Sequence, residues 1–123
     1  MMNNPVGWFE IYVQDIPRAK AFYENVFSIK LDELTMPDLE MWTFPMSKEG
    51  KGASGAIVKR DDCPSGGNST MVYFSCEDCA IEEHSASRYG GKIVREKFSI
   101  GEYGFVSLVT DTEGNLIGLH SMK

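Results

Sequence analysis

Hydrophobic and polar positions alternate over residues 8–13, with Phe9, Ile11 and Val13 on one face and Trp8, Glu10 and Tyr12 on the other. That period of two belongs to a half-buried strand. The period then changes: Ile16, Ala19, Phe22 or Tyr23, and Val26 recur at helical spacing. Asp15 stands where a helix N-cap belongs, and Pro17 falls in the first turn, where a missing N–H costs nothing. The pattern predicts a strand running straight into a helix that ends near Phe27. If the Phe9 face packs on that helix, an aromatic, acidic, aromatic stripe of Trp8, Glu10 and Tyr12 is turned the other way.

Further along, residues 28–36 read as a strand with charged interruptions, 37–38 as a turn, and 40–45 as a short strand carrying Met41, Trp42 and Phe44. A flexible connection over 48–52 leads to a fourth strand at 53–59 that is small at its start. Residues 60–69, RDDCPSGGNS, form the one convincing linker and divide the chain almost in half. The second half repeats the order of the first. A strand at 70–76 puts Val72, Phe74 and Cys76 on one face, Asp78 is the next N-cap, and a helix runs to about Tyr89 before Gly90 and Gly91. Three strands follow at 93–100, 105–110 and 116–122, joined by hairpin turns at 101–104 and 111–115.

Each half therefore reads strand, helix, strand, strand, strand. The two N-caps, Asp15 and Asp78, lie 63 residues apart, and the same shift places Trp8 on Met71, Glu10 on Tyr73, and the GAIVK beginning at Gly55 on the GLHSMK beginning at Gly118. The expected class is α+β: two tandem βαβββ repeats whose curved mixed sheets pair around a cavity suited to a small molecule. The whole chain, 1–123, is read as one domain, with repeat one at about 6–59, the linker at 60–69 and repeat two at about 70–123.

Composition narrows the partners. A formal charge of −6 with no basic stripe argues against nucleic acid and anionic membranes. No apolar run approaches a membrane span, and the first eight residues lack a signal pattern, so a cytoplasmic protein is expected. Three cysteines, an odd number, suit a reducing compartment.

Two motifs and the internal repeat carry a resemblance to the vicinal oxygen chelate superfamily, which includes glyoxalase I, extradiol dioxygenases and bleomycin-resistance proteins. Residues 13–23, VQDIPRAKAFY, resemble its opening strand-to-helix signature, and residues 111–120, DTEGNLIGLH, resemble its closing strand. The ending, with IGEYGF at 100–105 and GLHSMK at 118–123, is similar to a particular bacterial subgroup. The resemblance implies the glyoxalase/bleomycin resistance/dioxygenase fold and a homodimer. It also implies a divalent metal held by one His, Gln or Glu on the first and last strand of each repeat. Here those positions fall on Trp8, about Gly55, Met71 and Gly118, none of which is a usable ligand. Neighbouring strands would set bulky Trp8 beside Gly55 and bulky Met71 beside Gly118, filling the volume of the metal. No metal or other cofactor is therefore expected.

Glu10 and His120 are the candidate catalytic residues. Each lies two residues beyond a former ligand position and so on the same strand face, and facing each other across one cavity they could serve as acid and base or bind a polar ligand. A structural hydrogen bond or a solvated rim is the alternative. Trp8, Tyr12, Trp42, Met71, Tyr73 and Gly118 are the candidate ligand-binding residues, with Phe44 as a further aromatic wall and Glu102 and Tyr103 on a turn over the cavity mouth. Cys76 and Cys79 have the CxxC spacing of a redox motif, yet the intervening Glu77 and Asp78 would raise a thiol pKa, and Cys63 with His84 completes no compact zinc module.

The expected function is binding of a small organic molecule in a metal-free cavity. The alternatives are a metal-dependent lyase or isomerase resembling glyoxalase I, with Glu10 or His120 as a relocated base, and an interaction module whose cavity is filled.

Overall fold

The structure is a computed structural model that describes residue 6, residues 8–46 and residues 52–123. The first repeat comprises β1 (Trp8–Tyr12), α1 (Ile16–Phe27), β2 (Asp32–Thr35), β3 (Glu40–Thr43) and β4 (Ser54–Lys59). The second comprises β5 (Tyr73–Ser75), α2 (Cys79–Arg88), β6 (Lys92–Ser99), β7 (Phe105–Thr110) and β8 (Leu116–Ser121), with one 3-10 turn at Gly101–Tyr103. Each repeat makes a four-stranded mixed sheet, ordered β1-β4-β3-β2 and β5-β8-β7-β6. In both, the first strand runs parallel to the last and the other neighbours are antiparallel. This is the expected pair of βαβββ halves.

The helices form for the reasons legible in their sequences. The Asp15 carboxylate accepts the Arg18 N–H at 3.0 Å, and Asp78 accepts the Ala80 N–H at 3.0 Å. The buried stripe of α1 is Ile16, Ala19, Phe22, Tyr23 and Val26. It lies at the centre of one core that takes Ile11, Val13, Phe44 and Ile57 from the first sheet and Val109, Ile117 and Leu119 from the second. Tyr23 meets Phe22, Phe27, Phe44 and Phe74, so rings from both repeats interlock. Both sheets thus spend their helix-side faces on a shared interior.

Several boundaries are tighter than the sequence pattern predicts. β2 begins only at Asp32, because Ser28 turns left-handed (φ 54°) and the Leu31 N–H donates to the Glu24 carboxylate at 2.9 Å before the chain can join the sheet. β5 begins only at Tyr73, because the Asn68 side chain has already taken a strand's place beside Leu116, accepting its N–H at 2.9 Å and donating to its carbonyl at 3.0 Å. The turn expected at 101–104 closes as the 3-10 turn. The flexible connection expected over 48–52 lies, apart from Gly52, outside the described residues.

Candidate functional site

With the helix-side faces buried together, chemistry is left to the outer face of each sheet. On the first sheet the outward residues of β1 are Trp8, Glu10 and Tyr12, paired with Ser54, Ala56 and Val58 of β4. Glu10 is held on both oxygens, accepting from the Trp8 indole N–H at 3.1 Å and the Tyr12 hydroxyl at 2.6 Å. That hydrogen bond, with burial and the Glu10 charge, pushes the Tyr12 phenol above its usual range. Met41, Ala56 and Val58 form a small second apolar cluster here, with Tyr12 and Leu39 against it. The Tyr12 end of this outer face is therefore covered by its own side chains, while Trp8 and Glu10 remain exposed. What stays open is a groove of about 520 Å³ along the free edge of β1, walled by Trp8, Glu10, Tyr12 and the linker from Pro64 to Thr70.

The outer face of the second sheet is different. One rung across it is Arg95, Leu108, Gly118 and Tyr73; the next is Phe98, Val106, His120 and Ser75. Tyr73, Ser75, Phe98, Ile100, Val106, Leu108 and His120 line a pocket of about 580 Å³, within the range of small-molecule sites, with Arg95 outside its lining. Arg95 and Phe98 are three residues apart, a spacing that would put them on opposite faces of a regular strand. Irregularities in the β6–β7 pairing on both sides of Arg95 bring both outward, and the guanidinium carbon sits 3.6 Å from the centre of the Phe98 ring. The nitrogen Nε2 of His120 lies 2.7 Å from the Tyr103 carbonyl oxygen. A carbonyl only accepts, so Nε2 donates there.

These placements correct several expectations. Glu10 and His120 do not face each other across one cavity: they lie on the outer faces of different sheets and line different pockets. Trp42 points to the helix side, packed on the core with the Lys20 ammonium 4.9 Å from its ring, and Phe44 lies inside the core. Met71 precedes β5, half-buried, and lines neither pocket. Trp8 and Tyr12 line the first pocket; Tyr73 lines the second and lies over Gly118.

The pairing of bulky with small residues holds, but with other partners. Phe9, not Trp8, covers Gly55, where an added Cβ would come within 2.3 Å of the Phe9 ring, and Tyr73, not Met71, covers Gly118 at the same distance. The reason is register. Glu10 pairs with Ala56 whereas Tyr73, its counterpart 63 residues on, pairs with Gly118, so the last strands match at an offset one residue shorter than the first strands and helices do. Gly55 consequently faces the core, and Ala56 is the outward counterpart of Gly118.

The surroundings of the thiol pair do not favour a thiolate. Cys79 is fully buried, and burial together with Glu82 pushes the Cys76 thiol up to about 12. All three cysteines are free.

Sequence reasoning missed Ser75, Arg95, Phe98, Ile100, Val106 and Leu108. The alternation of 105–110 could have flagged Val106 and Leu108 as outward; the irregularity that turns Arg95 toward Phe98 leaves no mark in the pattern. It also read 111–115 as a plain turn. Asp111 there accepts from the Tyr23 hydroxyl at 2.7 Å and from the Glu113 and Asn115 N–H groups, while Glu113 accepts from Arg18 and from the N–H groups of Gln14 and Asp15. This turn clamps the start of α1 and positions both sheets.

The donor set does not fit the metal that the resemblance implies. Outward positions at those places carry an indole, a methyl group and a bare glycine, with a thioether nearby, and hard divalent ions take none of them. Among the described residues no three His, Cys, Asp or Glu side chains gather to hold an ion.

Two mixed sheets built from tandem βαβββ halves, with an open pocket on one outer face, define a class of fold, and comparison with known proteins places the chain within it. Residues 6–119 match the family model of the Glyoxalase/Bleomycin resistance protein/Dioxygenase superfamily, and the chain belongs to that superfamily. A glyoxylase-like domain-containing protein of Didymella fabae is 25% identical over 119 residues, covering 94% of this chain and 91% of that one. Among solved structures, TnmS3, an antibiotic binding protein from Streptomyces sp. CB03234, superposes with a TM-score of 0.74 at 20% identity over 98% of both chains. A glyoxalase I mutant from Zea mays superposes with a TM-score of 0.75 at 17% identity; it matches 98% of this chain but only 47% of the maize chain.

Proposed function

We propose that the protein binds a small organic molecule on the outer face of its second sheet, without a metal. The observation that carries this reading is the pocket of about 580 Å³ in which an apolar floor of Val106 and Leu108 is flanked by Tyr73 and Phe98 and marked by two polar side chains, Ser75 and His120. Apolar walls with a few placed polar groups are what a small-molecule site needs. The side chains covering the Tyr12 end of the first sheet's outer face support the assignment to the second, and the poor donor set supports binding without an ion. The likeness to an antibiotic binding protein is consistent with a holding rather than a catalytic role.

A homodimer fits the same picture. Tyr73 is 52% exposed and Trp8 40% exposed on their outer faces, and a second copy is the natural cover for both. Three free cysteines fit a reducing cytoplasm.

The test is native mass spectrometry of the purified protein together with elemental analysis, followed by an NMR fragment screen. The reading expects no stoichiometric metal, and fragment-induced shifts concentrated at Tyr73, His120 and Leu108. A stoichiometric divalent ion whose removal abolishes isomerisation of a glutathione hemithioacetal would instead establish the lyase reading.

A further inference from the structure

The polar inventory of this pocket points to the class of ligand it takes. Arg95 is exposed, sits directly over Phe98, and makes no ion pair or side-chain hydrogen bond among the described residues. Lys30, Arg88 and Lys92 likewise form no ion pair among the described residues, so Arg95 is set apart by its place beside Phe98. Arg18 is tied to Glu113, Arg60 to Asp62 and Lys97 to Asp78, as expected where acids outnumber bases by 18 to 12. Arg95 is not itself in the pocket lining, but its guanidinium carbon lies 3.6 Å from the ring centre of Phe98, which is, and its N–H groups meet no acid there. It is also placed there by an irregular strand: without the altered register, Arg95 and Phe98 would face opposite ways.

Across the same face, on the rung of Arg95, the Tyr73 ring lies flat over Gly118, with Leu108 between. Neighbouring strands are spaced about 4.8 Å apart, and because the Tyr73 ring lies over Gly118 the span from that ring to the strand of Arg95 is two spacings, roughly 10 Å, the length of a two-ring molecule. We propose that the pocket selects a planar aromatic acid. Its rings lie on Leu108 and against Tyr73 and Phe98, its carboxylate takes the paired N–H groups of Arg95 at the pocket's edge, and a polar group of the ligand meets Ser75 or His120. The guanidinium's fork matches a carboxylate in two parallel hydrogen bonds, which a neutral amide cannot reproduce. The proposal rests on reading this pocket as the small-molecule site, and the experiment separates failure of one from failure of the other.

The probes are 2-naphthoate and its neutral analogue 2-naphthamide, titrated into the full chain and followed by amide NMR shifts and calorimetry. Wild type binds the acid about tenfold more tightly than the amide. Arg95→Met, which keeps apolar packing on Phe98 while removing the charge, brings that ratio to about one; Arg95→Lys retains part of the preference. Circular dichroism of the variants confirms that they fold. Equal affinity of both probes for wild type overturns the proposed class of ligand while leaving the pocket intact, and so does an acid preference that survives Arg95→Met. If neither probe moves the Tyr73 and His120 resonances, both the pocket and its preference are wrong.

Discussion

Arg18 and Glu113, 95 residues apart in the chain, meet in a two-point pair, with Nε donating to Oε2 at 2.7 Å and an Nη to Oε1 at 2.9 Å. The Glu113 side chain is fully buried and also accepts from the Gln14 and Asp15 N–H groups and the Thr112 hydroxyl, whereas Arg18 is half exposed. Burial alone would push the Glu113 carboxyl up; the Arg18 hydrogen bonds, with those from the backbone and Thr112, outweigh it and hold it at about 2. Because this folded value lies below the unfolded value near 4.5, the pair's contribution is complete above pH ~4.5 and is lost as pH falls toward 2. Allowing for solvent screening at Arg18, the contribution is on the order of 2 kcal/mol. Urea denaturation of wild type and Glu113→Gln tests this. The variant is less stable by about that amount at pH 7, and the gap between the two closes toward pH 2. A gap that stays constant with pH would show that the carboxylate's charge contributes nothing.

The neighbouring pair, the Tyr23 hydroxyl on Asp111, is buried at both ends. Burial and the Asp111 charge push the Tyr23 phenol well above its usual range, so it remains a donor at any pH the fold survives. Removing the hydroxyl with Tyr23→Phe leaves Asp111 its partners at Glu113 and Asn115 and is expected to cost about 1–2 kcal/mol. Asp111→Ala strips acceptors from Tyr23, Glu113 and Asn115 at once and is expected to cost ~3 kcal/mol or more. Equal costs in chemical denaturation would mean that Asp111 acts through Tyr23 alone.

That clamp explains why the fold was legible in the sequence and the site only in part. Elements declare themselves through period and caps, and Asp15, Pro17 and the α1 stripe each act locally, so a linear reading recovers them. Asp111 and Glu113 also look local, as residues of a tight turn, yet their partners lie roughly 90 residues upstream and no spacing rule reaches that far. The pocket fails to show for a related reason. A strand's facing inverts with a single residue of register, and this chain changes register twice, once between the halves at the last strand and once around Arg95. Tyr73 was found because the first strands of the two halves keep step; Trp42 was misplaced because an aromatic on a strand looks the same whichever face it takes.

The two glycines under aromatic rings separate the core from the pocket. Gly55→Ala forces a Cβ against Phe9, which is wedged beside Phe44 inside the core, and should cost about 1–3 kcal/mol through overpacking. Gly118→Ala meets the Tyr73 ring at the same 2.3 Å, but Tyr73 is half exposed and can swing away. Its melting temperature should stay close to wild type while fragment binding in the pocket weakens, with Tyr73→Ala restoring room but not the aromatic wall. Thermal scans of the two variants side by side decide the matter; a large loss of stability in Gly118→Ala would mean that Tyr73 is structural.

The CxxC spacing gives the last prediction its interest, because a redox motif and a packing coincidence predict opposite reactivity. With its thiol pushed up to about 12 by burial and by Glu82, Cys76 holds almost no thiolate at pH 8, and Cys79 is sealed in the core between the Ser121 hydroxyl, which accepts its N–H at 3.0 Å, and the body of α2. Iodoacetamide at pH 8 should therefore alkylate Cys63, on the linker, and leave both others untouched until denaturant is added. Peptide mass spectrometry after a timed reaction reads this directly. Modification of Cys76 at a rate matching Cys63, or a Cys76–Cys79 disulfide formed under mild oxidant without unfolding, would return the pair to the list of active groups and require α2 to open at its first turn.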